Sequence, residues 1–71
     1  MAETRKAALL REIRAFVKRN GYAPTVRDLA EAMSVGHSTV QAGLRELIDD
    51  GDVRKAPGVA RGIVVKDQRI R

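Results

Sequence analysis

The sequence predicts a mainly α (α+β) fold, three helices followed by a C-terminal β-hairpin, and three observations carry this. Apolar residues recur at helical spacing through three segments that together end near residue 50. The gaps between those segments hold Asn20-Gly21 with Pro24, and then Ser34-Val35-Gly36-His37, residues suited to breaks and turns. After Gly51 the period changes, and the short β-prone runs 53–56 and 63–65 flank Pro57-Gly58-Val59-Ala60. A short turn between the second and third helices, with a hairpin after them, is the order of a winged helix-turn-helix.

In the first helix Leu9, Leu10, Ile13, Phe16 and Val17 form one apolar stripe. Thr4 is its expected N-cap, and Asn20-Gly21 its stop, because glycine tolerates the left-handed conformation at a helix end. Pro24 holds Ala23 extended and separates the next helix. Thr25 and Asp28 then form a T-x-x-D pattern close to the S/T-x-x-E/Q capping box: the hydroxyl can accept from a free first-turn N–H, and Asp28 sits where the helix dipole favours an anion. Val26, Leu29, Ala30 and Met33 give the second helix a buried face.

The stretch 29–42, LAEAMSVGHSTVQA, fits a short helix, a turn of about four residues, and a further helix opening on Ser38-Thr39. Val35 is expected to anchor the turn inward, and Gly36 to take backbone angles other residues resist. Val40, Leu44, Leu47 and Ile48 are expected inward, and Gly51 to end the helix against the unfavourable acids Asp49 and Asp50. In the hairpin, with a loop of about four to six residues, Val53, Ile63 and Val65 should face the core, leaving Arg54, Lys55, Arg61 and Lys66 outside. One domain over residues 1–66 and a flexible tail, 67–71, complete the expected organisation.

Composition excludes several alternatives. At 71 residues without cysteine the chain has neither a disulfide nor a thiolate metal site, so one aliphatic core must hold it. With His37 its single histidine and no acidic cluster beside it, no metal site or cofactor is expected. No apolar run approaches the roughly 20 residues of a membrane span, and charges interrupt the N-terminus where a secretory signal would be apolar. A cytoplasmic protein with no membrane partner is expected. The net charge of +5 is uneven: residues 1–20 carry +4, residues 21–52 carry −4 and residues 53–71 carry +5. A polyanion would attract the two ends and leave the acidic surface turned away.

With the apolar side of the third helix inward, Ser38, Thr39, Gln41, Ala42 and Arg45 face outward. A major groove can use these residue types: Gln bonds adenine in a bidentate way, Arg bonds guanine or phosphate, and Ala or a Thr methyl contacts thymine. A merely solvated face would favour Glu and Lys, and the first two turns contain neither. Glu46, Asp49 and Asp50 would be repelled by phosphates, so the helix should approach by its N-terminal half, with its positive dipole end and free N–H groups forward. Arg27, His37, Arg54, Lys55 and Arg61 are the candidates for the DNA backbone. For Arg27 an ordinary solvent-facing role is equally open, and hairpin bases also discourage edge-to-edge pairing. His37 and Ser38 are adjacent, but no third group orients them, so no catalytic residue is assigned and no enzyme is expected.

The run GYAPTVRDLAEAM, residues 21–33, resembles the G-x-x-P-T-x-R-x-[IL]-A segment of the LexA family of bacterial repressors. HSTVQAGLRELIDDGDVRK, 37–55, and GVARGIVV, 58–65, are similar to that family's recognition helix and wing. The turn 34–37 is about one residue shorter than is usual there. The resemblance implies a bacterial or phage-encoded repressor binding a palindromic operator in double-stranded DNA as a homodimer. It also implies Ser38, Thr39, Gln41, Ala42 and Arg45 in the groove and Arg61 in the wing. LexA proteins continue into a linker and a Ser/Lys self-cleaving domain beyond the point where this sequence stops, so it is expected to be a stand-alone repressor or a domain of a longer protein. Two other readings stay open. One is a protein-interaction winged-helix module whose acidic middle docks a basic surface; the other is a DNA-binding accessory factor for excision or replication, which needs the same groove contacts.

Overall fold

A computed structural model describes residues 4–56, 58 and 62–66. Thr4 opens α1 (Arg5–Asn20), its hydroxyl accepting from the Ala7 N–H at 3.1 Å, which satisfies one of the donors a helix start leaves free. Gly21 closes it in the left-handed conformation, φ 78°, its N–H donating to the Val17 carbonyl. Leu9, Ile13 and Val17 are buried, and Leu10 packs half-buried beside them. Phe16, expected in the same stripe, is half-buried at its edge, its ring edge-to-face with exposed Tyr22 at a centroid separation of 5.7 Å.

Buried Ala23 and Pro24 lead into α2 (Val26–Met33). The capping box is complete: Thr25 Oγ1 accepts from the Asp28 N–H and Asp28 Oδ2 accepts from the Thr25 N–H, each at 3.0 Å. Leu29 and Ala30 are buried, and Val26 and Met33 pack partly buried against the core.

The turn departs from expectation in two ways. The left-handed residue is Ser34 (φ 56°), whereas Gly36 is extended (φ −77°, ψ 162°). The cause is the closure of α2: the Val35 N–H donates to the Ala30 carbonyl at 3.0 Å and the Ser34 N–H to Glu31 at 3.3 Å, the paired bonds of a Schellman motif, which need a left-handed residue at Ser34. That closure also sets Val35 against the core, as expected of it. The next helix, α3 (His37–Asp49), starts at His37 rather than Ser38, so residues 34–36 are the whole turn.

In α3 Val40, Leu44 and Leu47 are buried as expected, but Ile48 is 39% exposed. One step after Leu47, it is turned about 100° around the helix axis from the centre of the buried face. Gly43 is inward instead. A Cβ there would come within 2.7 Å of Leu9 Cδ2, so the missing side chain lets α1 and α3 approach closely. Gly51 (φ 81°) ends α3 in a second Schellman closure, Asp52 N–H to Leu47 and Gly51 N–H to Ile48, both at 3.0 Å. The stop thus comes from backbone geometry despite the acids beside it.

The wing is the antiparallel pair β1 (Val53–Lys55) and β2 (Ile63–Val65), in register Val53↔Val65, Arg54↔Val64, Lys55↔Ile63. Val53, Ile63 and Val65 are buried and extend the helical core, while Arg54 and Lys55 are exposed. The loop expected at Pro57-Gly58-Val59-Ala60 lies largely outside the described residues. It is pinched where the Ala56 N–H donates to the Gly62 carbonyl at 3.0 Å; a Cβ on Gly62 would lie 2.8 Å from the Ala56 carbonyl oxygen. Arg61 and the tail 67–71 lie outside the described residues.

Candidate nucleic-acid interface

The outward side of α3 is made of short and polar side chains. Ser38, Gln41, Ala42 and Arg45 are exposed, and Thr39 is half-buried at the margin of this face. His37 is exposed in the first turn, where the N-cap Gly36 supplies no side-chain hydrogen bond. The start of α3 is therefore bare where those of α1 and α2 are capped, leaving first-turn N–H groups to meet an outside acceptor.

Packing against α3 brings the wing to the same surface. Gln41, Leu44, Arg45, Ile48, Asp49 and Lys55 line one open hollow between α3 and β1. Gln41, Ala42, Arg45, Glu46 and Asp49 line a second, along the helix. A third joins Ile48, Gly51 and Val53 to Arg54, Lys55 and Lys66. The base-reading candidates Gln41 and Arg45 thus share a hollow with the backbone candidate Lys55. Lys66 joins Arg54 and Lys55 as a further wing cation; the hairpin alternation marks it as exposed, but only the pairing places it beside the other two. Arg27 is exposed on α2 and pairs with Glu31, Nε to Oε1 3.4 Å. Both side chains are largely in water, so this contact is weak and Arg27 can exchange it for a phosphate at little cost. Arg61 cannot be placed on this surface, lying outside the described residues.

The acids divide by partner. Glu12 pairs with Arg19 at 3.6 Å, Glu31 with Arg27, and Asp28 caps α2. Asp50, near the end of α3, is bridged by Lys6 of α1. The hydrogen bond to Asp50, with the attraction of that carboxylate, raises the Lys6 pKa above its ordinary value; Asp52 and Glu46 add to the effect. Among the described residues no group of His, Cys, Asp or Glu is arranged to hold a metal ion, and no helix is long and apolar enough to cross a membrane.

The sequence is similar to those of known proteins. The sequence model of the family described as LexA DNA binding domain matches residues 3–62. The LexA repressor of Bacillus subtilis (strain 168) is 37% identical over a stretch covering 93% of this chain and 33% of that protein. The LexA repressor of Oenococcus oeni is 35% identical, covering 100% of this chain and 34% of that protein. The LexA repressor of Oleidesulfovibrio alaskensis is 34% identical, covering 79% and 27%. The chain thus spans about a third or less of the length of these relatives. On the match over residues 3–62 and these identities, the chain belongs to the LexA DNA-binding domain family.

Proposed function

We propose that this chain binds double-stranded DNA sequence-specifically and represses transcription by occupying an operator. One observation carries the proposal: the outward face of α3, with Gln41 and Arg45 at its centre, shares a hollow with Lys55 of the wing. Such a surface offers hydrogen-bonding groups for base edges beside cations for phosphates, the two kinds of contact that specific binding needs together. Ser38, Thr39, Gln41, Ala42 and Arg45 read the major groove; Arg27, His37, Arg54, Lys55 and Arg61 hold the backbone, and the wing lies on the backbone or in the adjacent minor groove. The relatives' name, LexA repressor, supports repression as the outcome.

A module of this size buries roughly 600–1,000 Å² on DNA. Alone that gives modest affinity, so two copies act on paired, inverted half-sites, as a homodimer on a palindromic operator in the cytoplasm. Their association is weak off DNA and assisted by it. Selection of bound duplexes from a random pool tests the whole reading. The expected product is one motif made of two inverted half-sites. A pool that remains unenriched at low salt would contradict specific binding, and a single unpaired motif would contradict the dimer.

A further inference from the structure

We propose that Asp49 is a specificity residue that works by penalty: its carboxylate disfavours duplexes lacking a base amino group opposite it. The proposal rests on the DNA-binding reading and adds a residue to it. Ser38, Ala42, Arg45 and Asp49 follow one another at steps of four, three and four, so they lie along one line of α3, and all four are exposed. Asp49 also lines both hollows of the reading face, with Arg45 in each and with Lys55 in one. It thus lies at the C-terminal margin of the proposed contact surface, behind the N-terminal half by which α3 approaches.

Its local chemistry is unfavourable for the fold. Asp49 is the last residue of α3, where the negative end of the helix dipole opposes an anion. Asp50 has the same conflict, but Lys6 offsets it. Asp49 makes no ion pair or side-chain hydrogen bond among the described residues. Its charge is balanced only by Arg45 and Lys55 across the open hollow, and a residue that breaks a local rule is expected where function requires it.

Against DNA the carboxylate has one favourable outcome. It can accept from an amino group, N4 of cytosine or N6 of adenine. Facing a phosphate, or the carbonyl and ring-nitrogen acceptors of guanine, it is repelled. It also reduces the pull of Arg45 and Lys55 on phosphates, which sustains binding to arbitrary sequence. Discrimination then comes from weakening the wrong complexes.

The test compares the wild type with Asp49→Asn and, as a control for net charge, Glu12→Gln on α1. Affinities are measured for the selected duplex and for a scrambled duplex of the same length. Asp49→Asn should tighten scrambled binding by about threefold to tenfold, as expected for one charge–phosphate contact in water, with a smaller change on the selected duplex, so that the ratio of the two falls. Glu12→Gln should leave that ratio unchanged. Asp49→Asn should also raise the melting temperature slightly, since it relieves the conflict with the dipole; loss of folding therefore does not obscure the readout. An unchanged ratio in Asp49→Asn, with a discriminating wild type, overturns this proposal alone. A wild type that fails to discriminate overturns the DNA reading with it.

Discussion

The two faces of α3 are made differently and answer to different demands. Inward lie Val40, Gly43, Leu44 and Leu47, all buried, with Gly43 so close to Leu9 that no side chain fits without displacing it. Outward lie Ser38, Gln41, Ala42, Arg45 and Asp49, all exposed and none of them used by the core. One face carries stability, and the other carries the proposed recognition, on the same helix. The starts of α2 and α3 repeat the contrast: α2 has a complete capping box, whereas α3 has no side-chain cap. The helix start left without a side-chain cap is thus the one on the proposed DNA-binding face.

That separation can be broken by mutation. The largest effect is expected from Leu47→Ala, where a fully buried side chain is replaced by a cavity costing about 2–5 kcal/mol; chemical unfolding would measure it, and DNA binding should fall only as folding does. Next, Gln41→Ala should cost about 1–3 kcal/mol of discrimination at particular bases with an unchanged melting temperature, checked by titrating single-base variants of the selected duplex. Thr25→Ala removes the hydroxyl half of the α2 capping box and should lower stability by about 1 kcal/mol without altering base preference.

Two smaller effects sharpen the same contrast. Ser34→Gly relieves a left-handed non-glycine residue and should stabilise the turn by a fraction of the roughly 1–2 kcal/mol that conformation costs, seen as a higher unfolding midpoint. Lys6→Met should have the least effect, the Lys6–Asp50 pair being exposed. Because folding raises the Lys6 pKa, the bridge contributes fully at neutral pH and its contribution is lost as the pH rises past 10.5 and the lysine deprotonates. The difference in melting temperature between wild type and variant should therefore disappear in that alkaline range.

Much of the fold was legible because local rules agree with it. Thr4, the Thr25–Asp28 box and Gly51 each mark a helix end by chemistry contained within a few residues, and the alternation of Val53, Ile63 and Val65 marks the buried side of the wing. Ser34 was not legible, since its conformation follows from how α2 closes rather than from a serine preference. Ile48 fits the periodic pattern, but the pattern does not separate the edge of an apolar stripe from its centre. Gly43 carries no hydrophobic signal at all, yet it sets the approach of α1 to α3. In the candidate site the outward residues of α3 could be read from helical periodicity alone. The division between Asp49 and Asp50 could not, because it depends on Lys6, 44 positions away from Asp50 in sequence.

The central claim is that α3 reads bases while the wing holds the backbone. The most direct measurement titrates Gln41→Ala and Lys55→Ala against a panel of single-base variants of the selected duplex at several salt concentrations. Gln41→Ala should flatten the preference at one or two positions and keep the salt slope. Lys55→Ala should weaken every duplex alike and reduce the slope of log affinity against log salt by roughly 0.9, the loss of one phosphate contact. Uniform losses from both variants, with base preferences intact, would contradict the claim.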